Sequence, residues 1–371
     1  MNDKLLIVGG YGQVGRVIST MLGKKFPGRV IAAGRDYREA QAFSAATGEI
    51  ILPLALDIHA TSETVELLQG VKLVVMCVEQ PDVRFVRSCL QRGIHYVDIS
   101  ASYDWLSQIE SMRSIAKQGS ATTVLSVGLA PGLTNLLAAY NKMLFDEINH
   151  LDIFIMLGLG DVHGEAAIRW TVENANSEFT IHDGGKVKQV RSFEDSKEAV
   201  FPAETGRRRA FRFNFSDQQV IVKTLDIGSA STWLCFDSAL TTWGFALSKK
   251  AGLFQLLRFK NAREFLVRVF RAVHFGSDRF AIRVDMQGVA DGQNTRLASA
   301  IIGRNDGYAT GIVAAEVAEQ LYTSPYPAGV FHIEQLFEPA DFIAKMEPYG
   351  LRFIPSMAVN NDAPNTGVRH H

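Results

Sequence analysis

Six short apolar runs punctuate the first third of the chain: LLIVG (5–9), RVIAAG (29–34), ILPLAL (51–56), KLVVMCV (72–78), HYVDIS (95–100) and ATTVLSV (121–127). Most are apolar throughout rather than alternating. The segments between them, such as VGRVISTMLGKKF and PDVRFVRSCLQRG, repeat apolar residues at helical spacing. Strands buried on both faces and separated by helices predict a parallel sheet covered by helices, an α/β doubly wound (Rossmann) pattern. Pro81 suits the first turn of a helix, and Gly70 and Gly93 suit helix ends.

From residue 150 the alternation stops. LDIFIMLGLGD (151–161) and VIVKTLDI (220–227) read as strands, and residues 165–176 and 305–322 as helices. This predicts an α+β second domain with a mostly antiparallel sheet. The expected boundaries are 1–130 for the first domain and 131–340 for the second. Part of 305–355 is expected to pack back on the first domain, with a disordered tail over 356–371.

Composition narrows the class. The 371 residues are too many for one ordinary core and suit two domains. A net charge of −1 gives no reason to expect nucleic acid as a partner. The start, MNDKLLIVGG, lacks a basic stretch before a long apolar run, so no signal peptide is expected. No apolar run is long enough for a membrane span. Cys77, Cys89 and Cys235 have no metal-ligand spacing, and Cys77 reads as a buried strand thiol. A reduced, cytoplasmic protein is expected.

The first strand runs into IVGGYGQVG (7–15), in which Gly10, Gly12 and Gly15 form G-x-G-x-x-G between predicted strand and helix. In that context glycines permit a tight turn, close approach of a pyrophosphate and helix-on-strand packing, while the helix N-terminus offers free N–H groups to phosphate. Tyr11, Gln13 and Val14 lie within the same turn and share the assignment. The end of the second strand decides the dinucleotide. An NAD site places an acid there. Here AAGRDYREA puts Arg35 at the tip and Arg38 one turn later, suited to a 2′-phosphate, so NADP is expected ahead of NAD. Asp36 is the competing ribose acceptor if the strand runs longer. Asp57 and Val78, at the ends of the third and fourth strands, complete the cofactor contacts expected in this half.

Five further stretches, GIHYVDIS (93–100), GLAPGLTNLLA (128–138), GLGDVHGEAAIRWT (158–171), FNFSDQQ (213–219) and GVFHIEQLFEP (329–339), make the chain resemble the saccharopine dehydrogenase-like family of NAD(P)-dependent oxidoreductases. The resemblance is strongest over 1–140. It implies hydride exchange between a nicotinamide and a carbon bonded to nitrogen, imine in one direction and amine in the other, on a small amino-acid-like substrate. It also implies a homodimer, with 1–130 as the NADP-binding domain and 131–340 as the substrate and dimerisation domain. Enoyl or keto reduction in lipid or natural-product synthesis, and a non-catalytic NADPH sensor, are the alternatives. A short-chain dehydrogenase would need Tyr-x-x-x-Lys, and no tyrosine here has lysine four residues on.

Imine reduction needs positioning, exclusion of water and at most one proton donor. Glu79 follows the fourth strand, at the carboxyl end where ligands bind. Asp98 sits in the fifth strand, where a carboxylate needs hydrogen bonds or a ligand. Gly128, Pro131, Gly132 and Asn135 lie in a turn and helix start expected to orient the nicotinamide carboxamide. In the second domain, Asp161 and His163 form a candidate proton-transfer pair, without the further ligands a metal site would require. Arg169, Trp170, Arg212 and Gln218 are the substrate candidates, the guanidinium groups being suited to carboxylates. Arg207–Arg209 read as a solvated loop. Residues 249–273 hold seven basic residues and one acid at helical apolar spacing. A dimer face or solvated helix fits that stretch better than a membrane-surface helix.

Overall fold

The computed structural model describes residues 3–58, 67–160, 164–202, 205–272 and 276–358. It divides into two compact units, Met1–Leu133 with Gly307–Leu336 and Thr134–Asp306 with Phe337–His371.

The first unit opens with β1 (Lys4–Val8), α1 (Gln13–Lys25), β2 (Val30–Gly34), α2 (Tyr37–Ala46) and β3 (Ile51–Ala55). It continues with β4 (Val71–Met76), α3 (Arg84–Gln91), β5 (His95–Asp98), α4 (Tyr103–Glu110), α5 (Arg113–Gln118) and β6 (Thr122–Leu125). All six apolar runs are strands, each within two residues of its expected bounds. Leu5, Leu6 and Ile7 are completely buried, as a strand covered on both faces requires. Pro81 lies upstream of α3 rather than in its first turn, because that helix starts only at Arg84.

The second unit contains α6 (Thr134–Lys142), β7 (Glu147–Leu157), α7 (Glu165–Asn174), β8 (Glu178–Asp183), β9 (Lys186–Arg191), β10 (Ser196–Phe201) and β11 (Gly206–Arg212). Then come α8 (Asp217–Thr224), β12 (Ala230–Phe236), α9 (Ala239–Lys250), a 3₁₀ segment (Leu253–Arg258), α10 (Lys260–Ala272), β13 (Arg279–Ala290) and β14 (Gln293–Arg304). The chain returns to the first unit through α11 (Asp306–Thr323), β15 (Gly329–His332) and α12 (Ile333–Leu336), and ends in the second with α13 (Pro339–Ala344) and β16 (Arg352–Ala358).

The first sheet has the order β15-β6-β5-β4-β1-β2-β3, with every pairing parallel. The second has the order β10-β11-β12-β7-β13-β14-β16, with β8 and β9 attached through β12. Its pairings are antiparallel except β12 with β7.

Four expectations fail in the second unit. Residues 220–227 read as a strand, yet Val220–Thr224 close α8, with Val220, Ile221 and Val222 all buried. A short β-branched run covered on every side has no period to separate helix from strand. Arg207–Arg209 lie on β11, not in a loop, and Arg207 and Arg209 both bind Glu198 of β10. The basic stretch 249–273 is not one helix. Gly252, at φ +76°, ends α9 and leads into the 3₁₀ segment before α10. Residues 356–358, placed in the disordered tail, belong to β16, while 359–371 lie outside the described residues.

Candidate cofactor and active site

The glycine turn separates three roles. Gly9, at φ +79°, turns the chain out of β1. A Cβ on Gly15 would sit 2.0 Å from the Gly9 carbonyl oxygen, and one on Gly10 would sit 2.7 Å from the Ala32 Cα, so internal packing excludes both. Gly12 differs. It is exposed, and a Cβ there would meet only the Gly9 oxygen, at 3.2 Å. The small residue leaves space on the outer side of the turn, where a pyrophosphate would approach. Gly12 is also the N-cap of α1, with no side-chain cap and no acid in the first turn. The positive end of the helix therefore suits an anion. These features fit a dinucleotide.

At the ribose end, the Asp36 carboxylate is committed. It caps α2, accepting from the backbone N–H groups of Arg38 at 2.8 Å and Glu39 at 3.4 Å. The Tyr11 hydroxyl accepts from the Asp36 N–H at 2.9 Å, and its ring covers Gly34, where a Cβ would lie 2.4 Å from that hydroxyl. Tyr11 thus holds the β2–α2 corner in place. Arg35 and Arg38 are exposed, and neither guanidinium is hydrogen-bonded or ion-paired among the described residues. A committed acid beside two uncommitted guanidinium groups suits a phosphorylated ribose. Gln13 and Val14 open α1. Asp57 is exposed just after β3.

Val78 lies against the turn, its Cγ1 2.7 Å from where a Gly9 Cβ would be, and Glu79 follows, exposed. Asp98 is different. It is buried at the end of β5 and accepts from Ser100 N–H at 2.8 Å, the Tyr96 hydroxyl at 3.0 Å, Trp105 Nε1 at 3.1 Å and Gln80 Nε2 at 3.4 Å. Burial raises its pKa, while these donors favour the anion. Its four donors satisfy it without a ligand.

Beyond β6 the chain is held by a buried relay that sequence reasoning missed. Ser126 has φ +54°. Its hydroxyl meets His332 Nδ1 at 2.8 Å, and His332 Nε2 meets Glu110 Oε1 at 2.8 Å. Ser126 and His332 are both buried, so the relay is internal. It anchors the start of the segment that contains Gly128 (φ +153°), the cis Ala130–Pro131 peptide and Gly132 (φ +139°). Thr310 of α11 accepts from the Leu129 N–H at 3.3 Å, and a Cβ on Gly128 would lie 3.1 Å from its methyl group. Asn135 is buried in the first turn of α6.

In the second unit, three of the four substrate candidates have internal partners. Arg169 grips Glu264 of α10 through two hydrogen bonds, at 2.6 and 3.3 Å. Arg212 is buried, bonds Asp195 at 3.0 Å and Ser231 at 3.1 Å, and stacks over Trp233. The Gln218 amide donates to the carbonyls of Phe213 and Phe215, both at 2.9 Å, and accepts from Thr232 N–H at 3.1 Å. Trp170 packs on Phe213 and Phe215. Asp161 and His163 lie outside the described residues. The segment before them lines an apolar cavity of about 60 Å³ with Ile168, Val172 and Phe236, too small for an amino-acid-sized ligand.

Asp217, beside Gln218, is completely buried. Its Oδ1 accepts from the Thr232 hydroxyl at 2.6 Å and Thr134 also bonds it, while Oδ2 has no partner among the described residues. Burial pushes its pKa up to about 6. An acid amid buried apolar positions was its only sequence signal. No group of residues with metal-binding geometry exists among the described residues.

The comparisons with known proteins agree with this geometry. Residues 5–124 match the model of the saccharopine dehydrogenase NADP binding domain. A carboxynorspermidine synthase of Vibrio cholerae is 23% identical over 314 residues, 73% of each chain. The apo structure of a saccharopine dehydrogenase (L-Glu forming) of Saccharomyces cerevisiae superposes with a TM-score of 0.69 at 14% identity, covering 96% of this chain and all of that one. That last likeness is one of fold. The glycine turn, the committed Asp36 and the domain match converge: the chain is an NADP-binding oxidoreductase whose residues 5–124 match the saccharopine dehydrogenase NADP binding domain.

Proposed function

We propose that the protein exchanges a hydride between NADP and the carbon of a C–N bond in a small amino-acid-like substrate. The observation that carries this reading is the match to a protein named carboxynorspermidine synthase, which extends over 73% of both chains and thus well beyond the nucleotide-binding domain. NADP, when bound, supplies or accepts the hydride. Gly10, Gly12, Gln13, Val14 and Gly15 receive its pyrophosphate on the N-terminus of α1, and Arg35 pairs with its 2′-phosphate. Tyr11 and Asp36 keep that corner in shape. Val78, Gly128, Pro131, Gly132 and Asn135 flank the nicotinamide, and Asp57 lies toward the adenosine half.

Glu79, Asp161 and His163 are the proposed proton-handling groups. Asp98, held by four donors, acts as a positioning residue at the end of β5. Trp170 is the proposed apolar contact for substrate, and Arg169, Arg212 and Gln218 shape the wall behind it. The free thiols of Cys77, Cys89 and Cys235 support a cytoplasmic location. A homodimer remains part of the proposal.

The test is a substrate screen with the full chain, following NADPH consumption with keto acids or aldehydes paired with amines, and NADP reduction with the corresponding secondary amines. Turnover that requires both carbonyl and amine supports C–N chemistry. Turnover of enones or ketones alone, with none on any amine–carbonyl pair, overturns it.

A further inference from the structure

Half of the exposed large apolar side chains among the described residues fall within residues 240–269. On α9 the inner face is packed, with Phe245 against Phe193 and Phe236. The opposite side presents Leu240, Trp243 and Leu247, spaced three and four apart on one face and exposed by 78, 45 and 59%, with Trp243 edge-on to Phe211 and under the Arg209 guanidinium on its inner side. The 3₁₀ segment that follows exposes Leu256, and the next residue after it, Phe259, is 52% exposed. On α10, Val267 packs with Ile168 and Val172 of α7, while Phe265 is 65% exposed. Each helix therefore has one apolar side covered and further apolar side chains largely exposed. Bare apolar surface of this kind marks an interaction site.

The charge around it selects the partner. Residues 249–273 contain seven basic side chains and one acid, Glu264, which the Arg169 pair neutralises. Lys250, Arg258, Lys260 and Arg268 are exposed. A two-fold contact with a second copy would set this basic face against itself, which like-charge repulsion opposes. A solvated basic helix would not bare leucine, tryptophan and phenylalanine. Apolar and aromatic side chains interleaved with Lys and Arg match the boundary between lipid headgroups and acyl chains. No helix among the described residues is long and apolar enough to cross a membrane, so the contact is peripheral.

We propose that the α9–α10 surface is a docking site for an anionic lipid bilayer, with Leu240, Trp243 and Leu247 entering the headgroup boundary and the flanking basic residues meeting lipid phosphates. This inference is independent of the reaction proposed above.

The test is co-sedimentation of the full chain with phosphatidylcholine vesicles, with and without phosphatidylglycerol. Binding is expected only with the anionic lipid, with a blue shift of Trp243 emission that Trp243→Phe removes. It should weaken steeply at about 0.5 M salt, where screening acts within a few ångströms. The pair Leu240→Glu and Leu247→Glu should lower vesicle affinity at least about tenfold. NADPH affinity and thermal midpoint should be unchanged. Lys250→Gln with Lys260→Gln gives a milder version that keeps the apolar face. No binding to anionic vesicles at low salt overturns the proposal. So does a protein that dimerises by sedimentation and becomes monomeric in the Leu240→Glu, Leu247→Glu variant, since the face then belongs to a second copy.

Discussion

The two units handle polar residues in opposite ways. In the first, the residues at the glycine turn are left uncommitted: Gly12 leaves open space, α1 has an uncapped N-terminus, and Arg35 and Arg38 reach solvent. In the second, Arg169, Arg212 and Gln218 are already held by Glu264, by Asp195 with Ser231, and by three backbone groups. The difference is one of surroundings. Exposed side chains beyond the carboxyl end of the parallel sheet, such as Arg35, are satisfied by water until a ligand arrives. Buried side chains such as Arg212 and Gln218 must find protein partners at once, because an unpaired buried group costs about 1–3 kcal/mol.

The sharpest way to break this comparison is at the glycines. Gly15→Ala should abolish NADPH binding and lower the thermal midpoint, since its Cβ meets backbone at 2.0 Å. Gly12→Ala should leave folding stability within about 1 kcal/mol of wild type while weakening NADPH about tenfold or more, because the added methyl occupies ligand space. Equal destabilisation by both would mean that Gly12 is structural too.

Asp217 comes next. Its folded pKa of about 6 lies above its ordinary 3.8, so the native state holds the proton more tightly. Stability is therefore highest below the ordinary value and falls as pH rises through about 6. The loss is about 3 kcal/mol in all. Denaturation midpoints measured from pH 4 to 8 should slope downward in wild type and flatten in Asp217→Asn. A variant that keeps the slope would place its origin elsewhere.

Arg35→Ala should weaken NADPH about 10- to 100-fold, the range of one charge-assisted contact, and leave NADH unchanged. Equal loss for both, read by parallel fluorescence titration, would remove Arg35 from the 2′-phosphate.

The smallest effect should come from the half-exposed Arg169–Glu264 pair. A double-mutant cycle with Arg169→Gln and Glu264→Gln should give only weak coupling, as solvent screening requires of an exposed pair, with KM unchanged. A rise in KM without a change in stability would return Arg169 to the substrate.

Much of the first unit was legible in the sequence because its signals are local. A both-face-buried strand is apolar whatever its neighbours, and G-x-G-x-x-G sits within six residues. The nucleotide preference needed one further fact, that Asp36 caps α2, and Asp–x–x at a helix start hints at that. The second unit was harder to read. Val220–Val222 is β-branched, yet burial on all sides lets it form a helix. The Ser126–His332 contact joins residues 206 apart, and the Thr232–Asp217 contact comes from a strand with no polar pattern of its own. Such pairings depend on tertiary neighbours, which periodicity does not encode.

The strand β15 has a consequence for biosynthesis. Its partner β6 ends at Leu125, but β15 begins only at Gly329, after the entire second sheet except β16 has left the ribosome. Until then β6 is an open edge, Ser126 lacks its histidine, and the glycine turn belongs to an unfinished sheet. A nascent chain stalled before Gly329 thus exposes an unpaired strand edge rather than a finished nucleotide-binding sheet. A truncation after Leu133 should aggregate where the full chain stays in solution.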